Sequence, residues 1–302
     1  MSDVPSSAVT AGRDVPAGGI RAELPAHIAN LLARQNRAAD GSPADSAGIS
    51  WAGRDLSGDG NPLHSFDGDN GLVTEQIGRV RRRLLTGDTD EAGFVNALAG
   101  QRLFAPVIAT GEGDAEHGDK EAAISLVTLT ASEGRTAMPV FTSVQALTDW
   151  HPEARPVAAE SERVMLAALA EGAELVVLDP GAEFTFVIRR PAVEALAQGA
   201  SWIPSYQDQE LAGALAEIPQ SCPGVAGLQL SPGAGIMTET RDGDRVLGGG
   251  TGPELSIGVL LEPGTDEVGA RLALAAVQAA MAEISLLRER ADSVQIRLVK
   301  PG

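Results

Sequence analysis

The chain is short of cysteine, of aromatic side chains, of positive charge and of long apolar runs. One thiol, Cys222, stands in 302 residues. A single thiol builds neither an intramolecular disulfide nor a cysteine-rich zinc site, and it suits a reducing, cytoplasmic compartment. Aromatics make up 3% of the residues, so the core must come from Ala, Val, Leu and Ile. Lys and Arg total 23 against 41 Asp and Glu, a net charge of −18. That sign disfavours nucleic acid, whose binding needs many cation–phosphate contacts, and it disfavours anionic lipid. No window of eighteen residues is free of charge or strong polarity, so no membrane span is expected. The opening MSDVPSSAVTAGRDVPAGG lacks a basic start followed by an apolar stretch and does not read as a secretory signal.

What is present is enough apolar material for a core: 43% hydrophobic residues at a mean hydropathy near zero. Residues 1–71 read as a flexible leader, rich in Ala, Gly, Ser, Pro and Asp. It is interrupted by a short amphipathic helix over about 24–37 and by a strap carrying Trp51, Leu56, Leu63 and Phe66. From about 72 the pattern changes. LVTEQIGRVRRRLLTG and EAGFVNALAG read as helices, LFAPVIAT, AAISLVTLT and TAMPVFTS as strands, and VQALTDW as a helix capped by Ser143. Glu160 to Ala170 is a further helix, LVVLDP and FTFVI a hairpin, and PAVEALAQG a helix opened by Pro191. SWIPSYQDQE is a connector. Beyond it a helix, a strand, a glycine-rich hairpin, a strand, one long helix over 266–287 and a terminal strand follow. The expected architecture is α+β: two small α+β domains with mixed or antiparallel sheets, over 72–205 and 206–302, behind a largely disordered leader.

The segments GQRLFAPVIAT, AAISLVTLTASEGRTAMPVFTSVQALTDWHPEARPV and EGAELVVLDPGAEFTFVIRRPAVEALAQG resemble the N-terminal domain of the bacterial enhanced serine sensitivity protein B (SseB) family, particularly its actinobacterial members. Residues 209–300, with LSIGVLLEPG and VQIRLVKPG, resemble the family's smaller C-terminal domain, and WAGRDL with Phe66, Asp67 and Gly68 resembles a leader of its relatives. The resemblance implies a fold and a link to a serine-sensitivity phenotype. It brings no catalytic motif.

Chemistry-bearing patterns are correspondingly weak. SPGAG and LGGGTG lack the following helix of a dinucleotide site and the Lys-Ser/Thr of a P-loop, and read as flexible hairpin loops. No Gly-x-Ser-x-Gly elbow surrounds Ser231, and His27, His64, His117 and His151 are scattered. Asp59, Asp67 and Asp69 suit calcium by ligand type but miss EF-hand spacing, because Leu72 stands where the glycine belongs. Glu116, His117 and Asp119 form an acidic loop, a poor zinc site. Cys222 has no cation beside it in sequence and reads as an inert thiol. Two candidate surfaces remain. Arg79, Arg81, Arg82 and Arg83 form a basic run at a helix C-terminus, either a solvated end or a contact for an acidic partner. Arg189 and Arg190, at a helix N-terminus, and Trp202 and Tyr206, in the connector, are the candidate ligand-binding residues of an interdomain cleft. The expected protein is a cytoplasmic, non-enzymatic interaction or regulatory protein. It has a protein partner, no cofactor or metal, no nucleic acid or membrane partner, and strand edges open to homo-oligomerisation. The alternative is a module or enzyme for a small, amino-acid-related metabolite, with its site in that cleft.

Overall fold

The computed structural model describes Phe66 and residues 69–110, 123–130 and 134–299. The expected leader helix and most of the strap, with His27, His64, His117, Asp59, Asp67, Glu116 and Asp119, lie outside the described residues. The described chain enters along Asp69–Leu72, which Arg102 holds: its Nε is 2.9 Å from Asp69 Oδ2, its Nη2 donates to the Leu72 carbonyl, and its guanidinium lies 4.1 Å from the centre of the Phe104 ring.

Helix α1 (Glu75–Leu85) starts at Thr74, whose hydroxyl accepts the Ile77 amide, and buries Ile77, Val80 and Leu84 on one face. Gly87, at φ 76°, ends it. Helix α2 (Glu91–Asn96) is capped by Asp90, which accepts the Gly93 amide at 2.8 Å. Strand β1 (Arg102–Thr110) then pairs antiparallel with β2 (Ala123–Leu126) on one side and β5 (Arg155–Glu160) on the other. A second sheet runs β3 (Leu129–Thr130), β4 (Thr136–Val140), β6 (Leu175–Leu178) and β7 (Phe186–Arg189), in which β4 and β6 are parallel. Reciprocal backbone bonds between Phe104 and Phe141, at 2.8 and 2.9 Å, join the two sheets. Helices α3 (Val144–Trp150), α4 (Ser161–Ala170) and α5 (Arg190–Ala197) complete this half.

One strand expectation changes, and one strand is unforeseen. AAISLVTLT is two strands, because the chain leaves one sheet after Leu126 and joins the other at Leu129. RPVAAE, with two alanines and a proline, carries no strand signal of its own, yet six of its residues pair with β1; tertiary pairing outweighs weak local preference here.

The remainder comprises α6 (Gln209–Ala216), α7 (Ile218–Ser221), β8 (Val225–Pro232), β9 (Met237–Glu239), β10 (Arg245–Leu247), β11 (Leu255–Leu261), α8 (Glu267–Ala282), α9 (Ser285–Arg290) and β12 (Val294–Val299). The expected long helix is thus two, parted at Glu283 and Ile284, which lets Leu287 and Met281 both turn into the core. Strand β11 is central, antiparallel to β8 and parallel to β12, so the sheet is mixed. The fold is α+β. Among the described residues, no helix is long and apolar enough to cross a membrane.

Two cores form. The first gathers Ile77, Phe94, Leu103, Met138, Met165 and Phe186 with their neighbours; the second gathers Leu211, Leu255, Ile257, Val259, Val277 and Met281. Cys222 is buried in the second. Val246, on β10 and far beyond the connector, belongs to the first core, so the β9–β10 hairpin reaches back across the connector in sequence.

Candidate functional site

Glycines make that reach possible. Gly248, Gly249 and Gly250 are buried, and Gly249 adopts φ 70° with its α-carbon against Phe186, where an added β-carbon would stand 2.3 Å from the ring. At Gly235 a β-carbon would fall 2.0 Å from the Gly252 carbonyl carbon, and at Gly250 it would fall 2.3 Å from the Gly235 and Met237 oxygens. The two glycine-rich segments read from sequence as flexible loops are therefore the closest backbone crossing in this region. Glycine serves here for contact more than for freedom. Backbone bonds stitch the crossing: the Gly248 and Gly250 amides donate to the Ile236 carbonyl at 3.0 and 2.9 Å, and the Val187 amide of β7 donates to the Gly249 carbonyl at 2.9 Å.

Buried charges clamp it from both sides. Arg189 is 1% exposed. Its Nη2 donates to the Gly250 and Gly235 carbonyls at 2.7 and 3.2 Å, and its Nη1 donates to Asp292 Oδ2 at 3.1 Å. Arg135 reaches both oxygens of Asp292, at 3.1 and 2.9 Å. Glu254 accepts the Asp292 amide at 2.8 Å on one oxygen, and the Ser205 amide and hydroxyl at 3.2 and 2.7 Å on the other. Two cations thus balance two carboxylates. Glu91, a further buried acid, accepts the Gly249 amide at 3.0 Å and the Tyr206 hydroxyl at 3.4 Å. Burial pushes its carboxyl above the ordinary range, although the Gly249 amide and the charge of Arg189 oppose the rise. Burial, with the nearby charges of Glu91 and Asp90, pushes the Tyr206 phenol upward, so it remains a donor at neutral pH.

A second carboxylate–hydroxyl pair sits at the carboxyl ends of the parallel strands. Asp179 accepts the Thr142 amide at 2.7 Å and the Thr142 hydroxyl at 2.6 Å, and it is the one non-glycine residue with positive φ, 49°, among the described residues. Burial raises its carboxyl above the ordinary range. Both pairs, Asp179–Thr142 and Glu254–Ser205, have the same form: a carboxylate binds the backbone amide and the hydroxyl of one residue. That geometry staples a chain turn. The hydroxyl hydrogen points at the carboxylate, and all four residues are buried.

The outer side of the hairpin differs. Between the α1–α2 turn and β9–β10 lies a groove of 720 Å³ lined by Leu84, Leu85, residues 86–90, Met237 and residues 245–247. Three large apolar side chains stand bare around it: Leu85 is 41% exposed, Met237 40% and Leu247 48%. The carboxylates of its rim are engaged within the chain, Asp88 by the Thr86 hydroxyl at 2.6 Å and Asp90 as the α2 cap. Arg82, in the last turn of α1, and Arg245 are exposed and have no carboxylate partner among the described residues.

The expected site residues are distributed over these two settings. Arg189 holds the glycine crossing, Trp202 is buried in the first core with its backbone clamped by Asn96 at 2.8 and 3.0 Å, and Tyr206 seals against the second core. None of the three lines the groove. Arg190 is exposed and pairs with Glu194 at 2.8 Å. In the basic run, Arg79 pairs with Glu75 at 2.6 Å, Arg83 donates to the Asp88 carbonyl at 3.0 Å, and half-buried Arg81 acts electrostatically on Asp179. Asp69 pairs with Arg102, and no group of three or more metal-ligating side chains is assembled among the described residues. Sequence reasoning missed Glu91, Arg135, Glu254 and Asp292. Their signal is burial at large separation in the chain, which no local window contains. It also missed Met237 and Leu247, single apolar residues in a short hairpin.

Residues 82–195, from the last turns of α1 to within α5, match the family model of the SseB protein N-terminal domain. No curated protein and no solved structure matches.

Proposed function

Since the chain carries an SseB protein N-terminal domain over residues 82–195, we propose that it is a cytoplasmic, non-enzymatic interaction or regulatory protein of that family, connected with serine sensitivity, and that residues 209–300 serve as the family's smaller C-terminal domain. It meets a protein partner at the groove between the α1–α2 turn and β9–β10. The carrying observation is the uneven treatment of the two sides of one hairpin. Inside, the carboxylates and hydroxyls bind backbone; outside, Leu85, Met237 and Leu247 are bare, Arg245 lines the groove, Arg82 stands exposed one turn before Leu85, and neither arginine meets a carboxylate among the described residues. Apolar anchors ringed by charge are the composition of a binding face. Because the rim acids are engaged and Arg82 and Arg245 are not, the partner segment is apolar with acidic flanks. A photoreactive residue at Leu247, compared with one at exposed Ala226 on β8, tests this in cells. A discrete adduct from position 247, abolished by Arg82→Glu with Arg245→Glu, is expected. No adduct, together with turnover of a metabolite by the purified protein, contradicts it.

The metabolite alternative keeps one observation of its own. Asp179, at φ 49°, holds strain of the kind that gathers at functional sites, and it sits at the carboxyl ends of β4 and β6. A thermal-shift screen of amino acids tests it. A shift abolished by Asp179→Asn supports this reading, and a flat response retires it.

A further inference from the structure

Among the described residues, the edges of the three larger sheets are short, interrupted or covered, apart from β12. Strand β5 carries Pro156, β8 carries Gly227 and ends at Pro232, β2 and β3 are only four and two residues long, and β7 is covered by the Gly249 carbonyl. Strand β12, VQIRLV, has six residues with neither proline nor glycine, and among the described residues nothing pairs with its outer edge. Such an edge is a template for another strand. Beside it, α8, α9 and β12 enclose a hollow of 270 Å³ with an apolar floor that includes Met281, Leu287, Val294 and Ile296. Leu298, on the same face of the strand, is 49% exposed.

We infer that β12 pairs antiparallel with β12 of a second copy, forming a six-stranded sheet across a two-fold axis at Ile296. Every residue-centred register keeps the apolar residues on one face, and those centred on Ile296 and Arg297 keep the most strand residues paired. Centring on Arg297 sets two arginines opposite each other, which is repulsive. Centring on Gln295 sets Leu298 opposite Asp292, whose carboxylate is already bound to Arg135 and Arg189. Centring on Ile296 sets Arg297 opposite Gln295 of the second copy, and Leu298 opposite Val294 of the second copy, over its hollow. Each copy thereby supplies the apolar side chain that the other's hollow lacks. The charge pattern favours the same partner. A chain of net −18 repels itself generally, yet Glu267–Val299 carries four carboxylates and four arginines, so the elements that flank this edge add no net charge to the contact.

Sedimentation of the full chain tests the pairing and its register. The wild type is expected to dimerise reversibly. Arg297 reaches the Ser231 hydroxyl at 3.2 Å, so Gln295→Glu, opposite Arg297 of the second copy twice by symmetry, should tighten the dimer severalfold by drawing that arginine across, and Gln295→Arg should weaken it by a similar factor. Leu298→Lys should yield monomer. Residues 295 and 298 are exposed, so the melting transition of each variant's monomer should stay unchanged. A wild-type chain that remains monomeric at the highest soluble concentration overturns the inference, as do Gln295→Glu and Gln295→Arg variants that move the dimer in the same direction.

Discussion

The two sides of the β9–β10 hairpin are made of the same few residues and behave oppositely. On the inner side the chain gives up side chains, with glycine at 235, 248, 249 and 250, so that backbones touch and Arg189 and Glu91 can bind the crossing. On the outer side it keeps large apolar side chains and leaves them in water. On the function proposed above, the closed seam holds the open groove in shape; a ligand site between the two cores would instead need the seam to open.

The seam's energetics give the largest expected effects. Asp292→Ala leaves the buried Arg189 guanidinium without its carboxylate, and should lower unfolding free energy by about 3–5 kcal/mol in denaturant titration. A loss under 1 kcal/mol or so would mean the seam is wet and open. Gly249→Ala imposes a β-carbon on Phe186 at a positive φ, and should cost about 2–4 kcal/mol by the same measurement. A variant as stable as the wild type would make that stretch a loop after all.

Glu91 gives a smaller effect with a defined sign. Its folded-state pKa is raised, so the folded protein holds its proton over a window where the unfolded chain has lost it. Stability from this group is present below the unfolded value and is lost as pH rises through the folded value. Glu91→Gln removes the loss while keeping an acceptor for the Gly249 amide. Denaturation at about pH 4, 5.5 and 7 should therefore show the variant gaining on the wild type as pH rises. A constant difference would place Glu91 in water. The outer groove gives the smallest effect on stability: Leu85→Glu should change it by no more than about 0.5 kcal/mol, because the side chain is exposed, while removing the adduct formed from position 247.

Much of the fold was legible because its signals are local. Ser143 caps one helix and Pro191 opens another. The strand RPVAAE was hidden because its partner, β1, lies about fifty residues earlier and supplies the reason for its conformation. The break at Glu283–Ile284 was hidden because both helix segments are apolar and only packing distinguishes them. Arg189 stood out as a residue of interest, but its role did not: Asp292 and the glycine carbonyls are 103, 46 and 61 residues away. Glycine-rich segments read equally well as mobile loops or as tight crossings, and only the atoms facing the missing β-carbon separate the two.

Amide hydrogen exchange at Val187, Gly249 and Gly250 tests the closed seam most directly. Each amide donates to a partner in the crossing, to the Gly249 carbonyl, Glu91 and the Ile236 carbonyl respectively. Exchange of all three only through global unfolding, with protection matching the most stable amides of β6 and β11, is the expected result. Exchange at loop rates while those strands stay protected would show the seam opening in the native state, and would return the binding site to the space between the two cores.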